Sequence, residues 1–211
     1  MTRDQWLVER RTGIGSSESS AVIGANPYMT NVELWEYKTG RKVQEDISHK
    51  SYVKYGIDAE HHLRELFKLD FPEYEVEHNP FKLHRNKDYP FIFATLDGEL
   101  TRRETGEKGV LEIKATQIMQ GSQRDKWTDQ IPQNYYIQVL HQLIATGWDF
   151  VKVKAQLKTD WNSEIRIDTR HYTISKEDVS HDMAFLQGKL VEFWNEYVLK
   201  DRRPPLLLPE I

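Results

Sequence analysis

Two stretches decide the fold: Phe91-Ile92-Phe93-Ala94-Thr95-Leu96-Asp97-Gly98 and Val110-Leu111-Glu112-Ile113-Lys114-Ala115. The first is an apolar run with strand composition that ends on an acid and a glycine. In the second, a strand places Leu111, Ile113 and Ala115 on one face and Val110, Glu112 and Lys114 on the other. Glu112 and Lys114 then share a face. A hairpin through Gly98–Gly109 would bring Asp97 to them.

That grouping suits phosphodiester hydrolysis. Asp97, Glu112 and the backbone carbonyl of Ile113 offer hard oxygen ligands of the kind Mg2+ takes. Such an ion lowers the pKa of an attacking water, and Lys114 would orient that water or offset developing charge. The plainer alternative is a solvated strand face carrying an ion pair. A bare Glu-x-Lys is weak evidence, since Glu36-Tyr37-Lys38 is another copy. That copy lies on a capped helix and reads as ordinary helix surface.

Working outward, the coarse pattern is mixed. A helix is expected over Asn31–Lys38, opened by a Thr30-x-x-Glu33 capping box and closed near Gly40. A second should span Tyr52–Leu69, ended by Pro72. Strands are expected at Tyr74–Glu77, Tyr89–Leu96, Glu99–Thr101 and Val110–Ala115, then a helix from Pro132 to Gly147. Strands at Phe150–Leu157 and Glu164–Thr173 flank a turn at Thr159–Ser163. A last helix should run from Ser175 to Leu199 on a stripe of Val179, Met183, Leu186, Leu190, Phe193 and Tyr197. The order implies an α/β fold around one mixed sheet, residues 1–211 forming a single domain with an extended tail at 202–211.

Two polar residues stand out on these helices. Glu60 falls on the apolar stripe of Val53, Gly56, Ile57, Leu63 and Phe67, where a carboxylate should be paired or metal-bound. Its alternative is a partly exposed acid held by Arg64 at i+4. Gln138 interrupts Tyr135-Tyr136-Ile137-Gln138-Val139-Leu140, as a site residue or as plain helix surface.

The 211-residue chain is 38% hydrophobic, enough for a folded core and too much for a disordered chain. It has no cysteine, which excludes disulfides and thiolate metal sites. No apolar run is long enough to span a membrane, and no leader is apparent, so a cytoplasmic home is expected. A net charge of −4 speaks against a DNA-coating protein, though not against an enzyme that gathers its bases in one groove.

Tyr55-Gly56-x-x-x-Glu60, Thr95-Leu96-Asp97-Gly98, Leu111-Glu112-Ile113-Lys114 and Tyr135-x-x-Gln138-Val139 resemble, in order, the blocks of the lambda-type phage exonucleases and YqaJ-type viral recombinases. So do the opening Trp6…Arg10-Arg11-Thr12-Gly13-Ile14-Gly15-Ser16-Ser17-Glu18 and Asn26-Pro27-Tyr28…Leu34-Trp35…Lys38-Thr39-Gly40. The resemblance covers about Trp6 to Leu157. It implies a restriction-endonuclease-like (PD-(D/E)XK) core, a central mixed sheet flanked by helices. It also implies a 5′-to-3′ exonuclease that degrades one strand from double-stranded DNA ends, leaving a 3′ overhang for a single-strand annealing protein. The protein would be a ring-shaped homotrimer, phage- or prophage-encoded in a bacterial host. Each site would hold a pair of Mg2+ ions, with Mn2+ able to substitute. Glu60, Asp97 and Glu112 would serve the metals, Lys114 the water, and Gln138 would support the site. Arg11, Ser16, Ser17 and Thr95 occupy the places that hold the 5′-phosphate.

The opening motif also reads physically. Gly13 and Gly15 would let backbone approach an anion, and Ser16-Ser17-Glu18 would cap the next helix. A Walker A loop is excluded, because no Gly-Lys-Ser/Thr follows. His61-His62 face different directions and suit a chelate poorly. Trp127, Tyr135 and Tyr136 read as base stackers or core. Lys152 and Lys154 read as phosphate contacts or a wet strand face, and Leu206-Leu207-Leu208 as a docking tail. The competing functional classes are a structure- or sequence-directed endonuclease, which needs no end-phosphate motif, and a non-catalytic DNA-binding module.

Overall fold

The computed structural model describes residues 2–208 except 44, 46, 48 and 163; of Trp161 only the backbone is described. Ser163 of the expected turn and residues 209–211 of the expected tail thus lie outside the described residues.

In chain order the elements are α1 (Arg3–Glu9), β1 (Ile14–Gly15), α2 (Ser19–Val22), α3 (Asn31–Lys38), α4 (Ser51–Asp70) and β2 (Tyr74–Glu77). There follow β3 (His84–Arg85), β4 (Ile92–Ala94), β5 (Gly98–Arg102), β6 (Lys108–Ile118), α5 (Gly121–Asp125) and α6 (Gln133–Thr146). The chain closes with β7 (Phe150–Trp161), β8 (Glu164–Ser175) and α7 (Ser180–Glu192), which runs into a π-helical turn at Phe193–Val198. α3 starts on its expected capping box, the Thr30 hydroxyl accepting from Glu33 N–H at 3.1 Å. α6 ends where Gly147 takes the left-handed conformation, φ 72°, that a side chain would resist.

The strands form two sheets where one was expected. A five-stranded mixed sheet has the order β2-β5-β6-β7-β8, with β6 and β7 parallel and the other pairs antiparallel. A three-stranded sheet has the order β1-β4-β3. The expected strand Tyr89–Leu96 shrinks to Ile92–Ala94, because Asn86 Oδ1 takes the N–H groups of Asp88 and Tyr89 into a turn. After Ala94 the chain leaves one sheet and joins the other at Gly98. Thr95, Leu96 and Asp97 are the crossing.

Alternation along β6 sorts two cores. Leu111 and Ile113 pack with Leu63 and Phe67 of α4, while Val110 packs with Ile137, Leu140, Leu143 and Ile144 of α6. The large sheet is therefore covered by α4 on one face and α6 on the other, with α7 outside α6. α7 begins at Ser180 rather than Ser175, because Ser175 still pairs with Phe150 in the β7–β8 ladder. Its stripe is as expected: Leu186, Leu190 and Phe193 are buried, with Val179, Met183 and Tyr197 packed against them. The π-helical turn also sends Trp194 inward, where it stacks on Phe91 at 5.3 Å.

Lys154 is neither a phosphate contact nor a wet face. It is buried and its Nζ pairs with Asp70 Oδ2 at 2.7 Å. Trp127 is core, at 1% exposure. The tail docks on its own chain: Asn31 Nδ2 donates to the Pro205 carbonyl and Asn31 Oδ1 accepts from Leu207 N–H. Among the described residues no helix is long and apolar enough to cross a membrane.

α6 is tied to β4 by His141, whose Nε2 meets the Phe93 carbonyl at 2.9 Å in a fully buried position. Burial pushes its pKa down to about 4. The unfolded chain, with an ordinary imidazole near 6.5, binds a proton there first, so this group's stabilisation is complete above pH 6.5 and is lost as pH falls toward 4. Urea titrations at pH 7 and pH 4 should show a loss of roughly 3 kcal/mol that His141→Gln lacks.

Candidate active site

The crossing between sheets builds the site. Gly98 stands opposite Leu111, so Asp97 arrives beside Glu112 and Ile113, and its Oδ2 accepts the Ile113 N–H at 2.8 Å. Glu112 is 2% exposed, its Oε1 lying 2.6 Å from Lys114 Nζ. α6 completes the arrangement. Gln138 bridges the pair, donating to Glu112 Oε1 at 2.8 Å and accepting from Lys114 Nζ at 3.0 Å. Gln142, one turn later, donates to Glu112 Oε2. Lys114 Nζ also lies 4.5 Å over the Tyr135 ring.

Glu60 reaches the same cleft from α4, but not as a buried stripe residue. Its side chain is one-third exposed and pairs with Arg64 Nη1 at 3.0 Å, the alternative read from its i+4 spacing. The stripe fails at its N-terminal end because Ile57 faces solvent over the cleft instead of the core. Arg64, itself buried, also donates to the Asp97 carbonyl at 2.7 Å and so joins α4 to the crossing.

The electrostatics follow from this crowding. Burial raises the Asp97 pKa well above the usual carboxylate range, and the neighbouring Glu112 and Glu60 raise it further. For Lys114, burial opposes the ammonium, but the Glu112 and Asp97 carboxylates outweigh it and its pKa lies above the ordinary lysine value. Asp97, Glu112, Lys114, Glu60 and Gln138 together line a cleft of about 340 Å³.

A second cluster sits at the chain's start. Trp6 Nε1 donates to Thr95 Oγ1 at 3.2 Å, two residues before Asp97. Arg10 lies 4.6 Å over the Trp6 ring, and its Nη2 donates to Ser17 Oγ at 3.4 Å. Among the described residues it is Arg10, not Arg11, that reaches Ser17. Arg11 is exposed and lines a depression with Leu7, Tyr37 and Lys42. Ser16 is buried. The glycines do different work from that expected. A Cβ on Gly13 would lie 2.1 Å from the Phe91 carbonyl oxygen, so Gly13 permits the close approach of β1 to β4. Gly15 N–H already has its anion, Glu18 Oε2, at 2.7 Å.

Residues 5–149 match the family model described as the YqaJ-like viral recombinase domain. The chain belongs to this family.

The matched span contains every residue of the carboxylate cluster and of the Trp6–Arg10–Ser17–Thr95 group. Beyond it, the "Uncharacterized protein YqaJ" of Bacillus subtilis (strain 168) is 34% identical over 208 residues, 98% of this chain. The chain spans 60% of that relative's length. Among solved structures, the alkaline exonuclease LHK-Exo of Laribacter hongkongensis superposes with a TM-score of 0.64 at 16% identity, covering 94% of this chain and 97% of its own. A phage related exonuclease of Haemophilus somnus 129PT gives 0.58 at 11% identity, covering 90% and 96%. At those identities the likeness shows a shared fold, that of the PD-(D/E)XK phage-type exonucleases.

Two residues of this YqaJ-like domain hold places that the sequence reading did not give them. Lys38, read as helix surface, has a side chain only 4% exposed, its Nζ 2.7 Å from Glu18 and 2.9 Å from the Arg10 carbonyl. Apart from its place in the Leu34-Trp35…Lys38-Thr39-Gly40 block, no local signal marks that pairing, since both partners lie far away in the chain. Gln142 did carry a signal: it repeats Gln138 at i+4, on one helix face. His61 and His62 are exposed on α4.

Proposed function

We propose that this YqaJ-like domain is a Mg2+-dependent nuclease that degrades one strand of linear double-stranded DNA from the 5′ end. The observation that carries the reading is the Asp97–Glu112–Lys114 cluster, with Glu112 buried and its neighbours partly so, bridged by Gln138 and open to a cleft. Two carboxylates, Asp97 and Glu112, share one place with the Lys114 ammonium, and their hard oxygens fit Mg2+, with Mn2+ able to replace it. Asp97, Glu112 and the Ile113 carbonyl would hold the ions, with Glu60 at the open side. The bound metal would supply a water of lowered pKa and a polarised phosphoryl oxygen. Lys114, its ammonium favoured by its carboxylate neighbours, would orient the attacking water and offset charge on the phosphate. Gln138 holds Lys114 and Glu112 in register, and Arg64 fixes the Asp97 backbone.

The polarity rests on the N-terminal cluster. Arg10, in the role expected of Arg11, with Ser17 and Thr95 would hold a terminal phosphate, since guanidinium and hydroxyls suit that group. The family description and the exonucleases of like fold support DNA ends as substrate. A ring-shaped homotrimer would concentrate the bases of a chain with net charge −4 around the duplex, and a single-strand annealing protein would take the 3′ overhang.

Linear and closed-circular duplexes, each with Mg2+, test the reading. A 5′-phosphorylated linear duplex should be degraded, a closed circle should survive, and Arg10→Ala should slow the phosphorylated substrate about tenfold or more, with little change on a 5′-hydroxyl end. Ready cutting of circles would leave an endonuclease in its place.

A further inference from the structure

Gln142 lies on α6 one turn beyond Gln138 and has no exposed surface. Its neighbours on the helix, Val139, Leu143 and Ile144, belong to the apolar core. An aliphatic side chain is what such burial calls for. The amide is instead only half satisfied. Its Nε2 donates to Glu112 Oε2, while its Oε1 finds no partner among the described residues. An unmatched buried acceptor lowers stability, so the packing of α6 gives no reason for a glutamine at this position. The Glu112 carboxylate does.

The two glutamines divide that carboxylate between them. Glu112 Oε1 accepts from Lys114 Nζ at 2.6 Å and from Gln138 Nε2 at 2.8 Å, which fills both of its lone pairs. Among the described residues Oε2 accepts from Gln142 alone and keeps one lone pair for a further ligand. The last torsion of a glutamate side chain is soft, so a carboxylate gripped at one oxygen can still turn. Gripped at both, it cannot. Gln138 borders the cleft, whereas Gln142 is fully buried and can act on an ion or a substrate only through Glu112.

We propose that Gln142 is a positioning residue for the metal: by holding Glu112 Oε2 it fixes the oxygen whose open lone pair takes the ion. The proposal rests on the metal-nuclease reading of the cleft. Hydrogen bonds to a ligating carboxylate set its orientation, and their loss commonly costs about ten- to a hundredfold in metal affinity.

The test is a calorimetric titration of the full chain with Mn2+, without DNA. Gln142→Met keeps the length and the burial but has no donor, and its Mn2+ affinity should fall about tenfold or more relative to wild type. Gln142→Asn keeps an amide one methylene short of Oε2. It should lose affinity likewise, and it carries the test should the methionine variant not fold. Ile144→Val, at a buried position of the same helix with no donor to offer Glu112, is the control for packing. Its urea midpoint should drop while its Mn2+ affinity matches wild type. In cleavage assays the Mg2+ concentration for half-maximal rate should rise about tenfold in both Gln142 variants, with the rate at saturating Mg2+ close to that of wild type. Unchanged Mn2+ affinity in the folded Gln142 variants, or an equal loss in Ile144→Val, would overturn the proposal and leave the nuclease reading in place. A wild type that binds no Mn2+ and cleaves no DNA would sink that reading, and the role of Gln142 with it.

Discussion

Asp97→Asn is expected to lower DNA cleavage by about three orders of magnitude while making the metal-free protein more stable. The rate loss corresponds to roughly 4 kcal/mol, what one ligand of a reacting-centre metal is asked to supply. The stability gain has a different source. Asp97 has a raised pKa, so its contribution to folding is fullest below the ordinary carboxyl value and is lost as pH rises through its folded value. Above that folded value the ionised side chain is a cost in the metal-free protein that the Ile113 N–H and Lys114 offset only in part. Asparagine removes that charge while its oxygen can still accept the Ile113 N–H. Thermal melts should show a higher Tm for Asp97→Asn than for wild type in EDTA, and Mg2+ should raise the Tm of wild type only. A variant that is both less stable and inactive would mark Asp97 as a structural residue, and near-normal cleavage would remove the nuclease reading.

Gly13→Ala is expected to destabilise the fold by about 3 kcal/mol or more. Its new Cβ would fall 2.1 Å from the Phe91 carbonyl oxygen and 2.7 Å from the carbonyl carbon. Neither side yields cheaply. The Phe91 carbonyl accepts the Ile14 N–H at 2.6 Å, and its ring is stacked on Trp194. The same displacement would move Arg10 and Ser17 relative to Thr95, so cleavage from a phosphorylated end should fall with stability. Gly188→Ala, in α7 with open space around its Cα, serves as the control and should be neutral or stabilising by about 0.5–1 kcal/mol. Equal urea midpoints for wild type and Gly13→Ala would refute the close-approach account.

The parts legible in the sequence are those whose cause is local. The α3 capping box, the Gly147 stop and the buried run of α7 follow from periodicity and caps spaced a few residues apart. Alternation in Val110–Ala115 put Glu112 and Lys114 on one face, and the two cores of β6 obey it. Even Glu60 had its observed partner written at i+4. Where the reading went astray, a distant residue had entered. Lys38 and Lys154 looked like surface lysines until Glu18 and Asp70 reached them from elsewhere. The strand at Tyr89 was shortened by the Asn86 turn.

Sequence alone supplied the residue types of the candidate site, their order, and the elements that carry Glu60, Glu112, Lys114 and Gln138, because short-range sterics and hydrophobic period act within a few residues. Only the tertiary structure decided that two sheets part at Thr95–Asp97, that Gln142 joins Gln138 on Glu112, and that Arg10 rather than Arg11 turns to Ser17. Those choices depend on which long side chain finds a partner across the fold. Arg10 and Arg11 are neighbours of the same chemistry, and packing against Trp6 and Glu18 separates them.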